Sequence, residues 1–118
     1  MWACKSDGSN SRRYFPEKTT KIYLRWRFEN FFVGSHYERI WRVRGVSGEW
    51  AHYDCSWPGP ETGIEEITLT EPDGLYSGEW VVSIKVDGKV VWKESLFVEG
   101  DWDYWSPAGY FGSCYGKR

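Results

Sequence analysis

From Lys21 to Glu29 apolar and polar residues alternate without a break. Ile22, Leu24, Trp26 and Phe28 fall on one face, and Lys21, Tyr23, Arg25, Arg27 and Glu29 on the other. A period of two belongs to a strand with one face on a core. The same period returns from His36 to Arg44, where Tyr37, Arg39, Trp41 and Val43 alternate with Glu38, Ile40, Arg42 and Arg44. It returns again from Glu49 to Trp57, with Ala51, Tyr53, Cys55 and Trp57 apolar and His52, Asp54 and Ser56 polar. Gly45 to Gly48 reads as a hairpin loop between these two strands. Pro58-Gly59-Pro60 ends the third by removing backbone donors. Ile64 to Thr70 is a fourth strand, closed by the turn Glu71-Pro72-Asp73-Gly74.

The stretch from Pro72 to Val98 predicts a long hairpin. Trp80, Val82, Ile84 and Val86 alternate with Val81, Ser83 and Lys85, and Val90 to Val98 is again β-rich. Asp87-Gly88 between them suits a two-residue type I′ turn, whose central residues both need positive φ. With Val86 opposite Lys89, Ile84 faces Val91, and Trp92, Leu96 and Val98 share a face that excludes Phe97. A β-bulge between Val90 and Lys93 would redistribute these side chains, while a hairpin buried on both faces would need no bulge. No helical period appears anywhere, so the chain is expected to be all-β and antiparallel, with six or seven strands in a sandwich or small barrel.

The ends differ from this middle. Residues 1–18 are polar, with Gly, Ser and Asn, and read as a flexible, loosely held segment before a domain at 19–99, with Tyr14-Phe15-Pro16 placed to pin its end to the domain. Residues 100–118 carry Trp102, Tyr104, Trp105, Tyr110, Phe111 and Tyr115 among Gly, Ser and Pro with no regular period. They predict an irregular aromatic arm packed on the sheet.

Composition changes this picture in three ways. With 118 residues the chain is sized for one modest core. Nine Trp, eight Tyr and six Phe supply either that core or an exposed platform. The net charge of −2 hides a division: Arg12 to Arg44 hold nine bases and three acids, Glu49 to Asp103 thirteen acids and three lysines. Basic strands lying beside acidic strands would pair across a sheet. A nucleic-acid surface built on Tyr23, Arg25, Arg27, Arg42 and Arg44 would need a basic excess that the whole chain lacks, so no nucleic acid is expected as a partner.

Of three cysteines, Cys55 and Cys114 are the expected disulfide pair, leaving Cys4. Ala3-Cys4 before a polar Lys5-to-Ser11 run has the look of a lipidated tether, although the apolar part of a lipobox is missing. No apolar run is long enough for a transmembrane helix, and Met1-Trp2-Ala3 offers no signal-peptide core.

Catalytic chemistry has little support. No phosphate loop, nucleophile elbow or zincin motif occurs. His52 and Asp54 share a strand face and could hold part of a metal site, but no third ligand is evident from spacing. Asp101 and Asp103 flank Trp102 as an oxygen-donor pair, a common loop feature. No cofactor, metal or enzyme activity is expected. Binding has more support. Trp57, Trp102, Tyr104, Trp105 and Tyr110 are the candidate ligand-binding residues, with Phe31, Phe32 and Phe111 as further loop and tail aromatics. Such side chains serve protein hot spots and sugar stacking alike.

Leu75, Gly78, Trp80, Val82, Ile84, Asp87, Gly88 and Val90, closing on Phe97-Val98, together resemble the last hairpin of bacterial immunoglobulin-like accessory domains. Ile22 to Phe28, Gly34 and Arg39-x-Trp41 are similar to their first hairpin. The resemblance spans residues 20 to 98. It implies an immunoglobulin-like β-sandwich, a secreted or envelope location outside the cytoplasm, and a non-catalytic interaction or structural role with a protein partner. A carbohydrate-binding module of the same fold, taking a glycan, is the alternative. The aromatic arm departs from the family pattern.

Overall fold

The computed structural model describes residues 2–4 and 13–113. All regular structure among them is β: β1 (Trp2–Cys4), β2 (Tyr14–Phe15), β3 (Lys21–Phe28), β4 (His36–Val43), β5 (Ala51–Ser56), β6 (Gly63–Thr70), β7 (Gly78–Val86), β8 (Lys89–Val98) and β9 (Gly109–Phe111). They form two sheets, ordered β1-β3-β6 and β2-β8-β7-β4-β5-β9. The long strands pair antiparallel, while β1, β2 and β9 join parallel to β3, β8 and β5.

The alternation read from the sequence is the burial pattern. Ile22, Leu24, Trp26 and Phe28 of β3 are buried, as are Ile67 and Leu69 of the paired β6. Tyr37, Trp41 and Val43, Ala51 and Tyr53, Trp80, Val82 and Ile84, and Leu96 and Val98 meet them from the larger sheet in one core. Aromatic rings bridge the two sheets: Trp26 stacks on Trp92 at 5.2 Å. The divided charge also resolves across strands. Arg25 of β3 faces Glu66 of β6 at 3.8 Å, and Arg13 meets Glu94 at 3.0 Å.

Thr19, Arg39 and Glu71 are the buried polar residues among those described. Arg39 is buried on the inner face of β4, and its guanidinium sits 4.1 Å over the Tyr53 ring. Glu65 of β6 reaches toward it, with 3.8 Å between charged atoms. The Glu65 Oε1 accepts from Tyr37 Oη at 2.6 Å and from Trp26 Nε1 at 2.9 Å. Burial first, then the Glu65 charge, pushes the Tyr37 hydroxyl pKa far above its ordinary range.

The β7–β8 hairpin turns on Asp87-Gly88, with φ of 53° and 82° as the type I′ turn requires. Val86 pairs with Lys89 and Lys85 with Val90, but Ile84 pairs with Trp92 rather than Val91. The register shift there is the expected bulge. It turns Trp92 inward to stack on Trp26.

At the N-terminal end Tyr14–Phe15 lines β8 with Phe15 fully buried, pinning the segment as its aromatics suggested, and Trp2–Cys4 also lines β3, which the sequence did not indicate. Such short strands carry too few residues to show a period. Nor is the arm wholly irregular. Trp102 is tied to Ser77 by two hydrogen bonds of 2.7 and 2.9 Å, and Gly109–Phe111 then extends the large sheet beside β5. Cys55 is disulfide-bonded. Its expected partner Cys114 lies outside the described residues. No helix among the described residues is long and apolar enough to cross a membrane, which leaves strand-built membrane barrels untouched.

Candidate functional site

The five expected binding aromatics do not form one surface. Trp57 is only 6% exposed. It packs edge-on against Phe28 and Phe31, and its Nε1 donates to the Pro60 carbonyl at 2.7 Å. The Pro-rich segment after β5 folds back over it, so this ring is core and not a contact residue. Trp105 is half-buried against Tyr76 and Trp80. Trp102 lies beside Tyr104, 6.2 Å between rings, with the Lys18 ammonium 4.3 Å above it. Trp102 borders a shallow cleft of about 230 Å³ lined also by Tyr76, Ser77, Gly100, Asp101 and Asp103. Tyr110 stands apart on β9, 64% exposed, over His52.

The loops at the His36 end of the large sheet carry a different feature. Phe32 and Val33 are 62% and 64% exposed. Their loop is held from below by backbone hydrogen bonds. Phe31 N donates to Glu61 O at 2.9 Å, Gly34 N to Trp57 O at 2.8 Å, and Trp57 N to Ser35 O at 2.8 Å. Buried Phe31 and Trp57 thus act as the floor on which Phe32 and Val33 are displayed. The Asp87-Gly88 turn joins the same end, since Asp87 N donates to His36 O at 2.8 Å and His36 N to Asp87 Oδ1 at 2.9 Å.

A polar cluster spreads from this end over the outer face of β4 and β5. His36 and Glu38 are two apart on β4, and Asp54 is the cross-strand partner of Glu38. His36 Nε2 and Asp54 Oδ1 are in close hydrogen-bond contact. Tyr110 Oη donates to Asp54 Oδ2 at 3.0 Å. His52 spans two carboxylates, with Nε2 2.8 Å from Glu38 and Nδ1 3.0 Å from Glu49. Arg42 closes the row on Glu49 at 3.0 Å.

The electrostatics follow from these contacts. The hydrogen bond to Asp54 raises the His36 pKa above its ordinary value, against a smaller opposing effect of burial. Burial alone would raise Asp54, but hydrogen bonds from His36 and Tyr110 outweigh it and the carboxyl falls below its usual range. Tyr110 is raised, chiefly by donating to Asp54.

His52 with Asp54 was the pair evident in the sequence. The third and fourth members, His36 and Glu38, become visible only once the β4–β5 register is drawn. His36-x-Glu38 then lies opposite Asp54-x-Ser56. Asp101 and Asp103 gather no third donor, and among the described residues only His36, Glu38 and Asp54 converge as a ligand set.

Comparison with protein-family models, curated proteins and solved structures gave no match to this chain.

Proposed function

We propose that this chain is a non-catalytic, immunoglobulin-like interaction module that binds a protein partner through the loop end bearing Phe32 and Val33. The observation that carries this reading is the display of two large apolar side chains on a hydrogen-bonded loop over a buried aromatic floor. Apolar anchors rimmed by charged groups, here His36, Asp54 and Asp87, are the composition of protein contact surfaces.

The strand order and two tryptophans support the immunoglobulin-like part. The neighbours β8-β7-β4-β5 in one sheet and β3-β6 in the other have the order of strands G-F-C-C′ and B-E. In that frame Trp41 is the fully buried Trp on strand C. Trp80 lies near the start of strand F and donates from Nε1 to the Tyr76 carbonyl at 2.8 Å, the role of a tyrosine corner. The loops 29–35, 57–62 and 87–88 then gather at one end, as binding loops do in variable-type domains. The disulfide at Cys55 favours a location outside the reducing cytoplasm, secreted or in an envelope.

The test is a photo-crosslinking residue at position 32 or at position 47, in the β4–β5 loop, introduced into the chain in its natural host. A discrete adduct formed from position 32 and absent from position 47 supports the reading. Equal labelling, or none from position 32, refutes it.

The glycan alternative rests on the cleft between Trp102 and Asp101 and Asp103, where a ring face adjoins carboxylates. Lys18 over Trp102 already covers one face of that ring, which places the alternative second. Titration with soluble glycans, read by tryptophan fluorescence in the wild type and Trp102→Ala, decides it. A saturable signal lost in the variant would put the glycan first.

A further inference from the structure

We propose that His36, Glu38 and Asp54 form a binding site for a divalent transition-metal ion of the Zn²⁺ type. Their ligand atoms, an imidazole nitrogen and two carboxylate oxygens, all lie within 4.8 Å of one another. They come from adjacent, hydrogen-bonded strands. Glu38 and Asp54 are directly opposed in the β4–β5 ladder, and His36 is two residues along the same face. The backbone therefore fixes their convergence, and no loop has to close.

The surroundings are those of a metal centre. Ligand carboxylates and imidazoles in such sites are oriented by hydrogen bonds from a second layer. Here each carboxylate has one from outside the triad. His52 holds Glu38 at 2.8 Å and is itself held by Glu49, which Arg42 anchors. Tyr110 holds the Oδ2 of Asp54, leaving Oδ1 turned toward His36. The His36 backbone is fixed on both sides by Asp87.

The donor set selects the ion. One nitrogen and two oxygens suit Zn²⁺ and its borderline neighbours. Ca²⁺ takes six to eight oxygens, and a nitrogen with two carboxylates does not provide them. Ligands bonded to one tetrahedral Zn²⁺ at about 2 Å stand about 3.3 Å apart. The donors therefore draw together around the ion while His36 and Asp54 separate slightly. The His36 side chain, 52% exposed, is free to make that adjustment. Three protein ligands leave one position for water.

The site shares His36 and Asp54 with the rim of the Phe32 surface, but its test does not involve a partner and reads metal binding alone. The chelator-stripped 118-residue chain is titrated with Zn²⁺ by calorimetry, with Ca²⁺ in parallel. One-to-one Zn²⁺ binding is expected, weakened at least tenfold in each of His36→Ala, Glu38→Gln and Asp54→Asn. His52→Ala, which removes only an orienting group, should weaken it about 10- to 100-fold. Asp101→Asn should leave it unchanged. Near-UV circular dichroism confirms that each variant is folded. The His36 ring resonances in NMR should shift on addition of Zn²⁺. Absence of Zn²⁺ binding, binding unchanged in His36→Ala, or binding of Ca²⁺ as tight as Zn²⁺ overturns the proposal.

Discussion

Glu65→Ala tests what holds the two sheets in register. In the folded chain the Glu65 side chain, 15% exposed, faces the Arg39 side chain, 6% exposed. Removing the carboxylate leaves the guanidinium buried with no anion, and its Nε already has no hydrogen-bond partner among the described residues. It also strips the acceptor from Tyr37 Oη and Trp26 Nε1. Breaking a buried pair from one side costs about 3–5 kcal/mol, and an orphaned buried donor about 1–3. These overlap, because they count the same desolvation, so about 4 kcal/mol is the expected loss. That is a large share of the roughly 5–15 kcal/mol that keeps a domain folded. With a urea m-value of about 2 kcal/mol/M, the midpoint should fall by about 2 M. Equilibrium urea unfolding of the disulfide-intact protein, followed by tryptophan fluorescence, measures it.

The mechanism makes a second demand. If the loss comes from a stranded charge, removing the charge as well should recover part of it. Arg39→Met with Glu65→Leu should be at least about 1.5 kcal/mol more stable than Glu65→Ala, since apolar replacement of a buried pair is often neutral. The recovery stays incomplete because Tyr37 and Trp26 still lack their acceptor. A cost below about 1 kcal/mol for Glu65→Ala, or a double variant no better than the single, would refute the reasoning.

The sequence carried the scaffold well wherever a strand was long enough to show its period. The six strands from β3 to β8 fall within a residue or two of the alternating runs, because one buried face forces that alternation. The bulge opposite Ile84 was one of two readings the sequence left open, the other being a hairpin buried on both faces; the register shift decides for the bulge. What stayed hidden is whatever depends on pairing between distant segments. The two or three residues of β1, β2 and β9 have no period of their own and take strand geometry from β3, β8 and β5. Trp57 sat on the apolar face of its strand yet was counted among the binding aromatics, because nothing in the sequence shows that the loop after it folds back and supplies a carbonyl to its indole. The triad of His36, Glu38 and Asp54 was split for the same reason. Its members lie on two strands, and only the register brings Glu38 opposite Asp54.

Three further outcomes are expected. Gly88→Ala forces a side chain into φ of 82° at the β7–β8 turn and should cost about 1 kcal/mol in the same urea assay. Cys55→Ser removes a disulfide and should cost about 2–5 kcal/mol, seen as a lower thermal midpoint under non-reducing conditions that converges with wild type in excess reductant. The third separates floor from surface at the loop end. Trp57 and Phe32 both looked like binding residues in the sequence, but one is 6% and the other 62% exposed. Trp57→Ala empties a site among Phe28, Phe31 and Tyr37, and should cost about 3–5 kcal/mol. Phe32→Ala removes a ring already in water, and should change stability by less than about 0.5 kcal/mol. The pair matters because a contact surface has to be removable without loss of the fold. If Phe32→Ala costs more than about 1 kcal/mol, its ring is part of the core's support, and the loop end loses its claim as a binding surface. If Trp57→Ala is nearly neutral, the floor beneath that loop is not what fixes its shape, and display of Phe32 and Val33 over that floor is the wrong description of it.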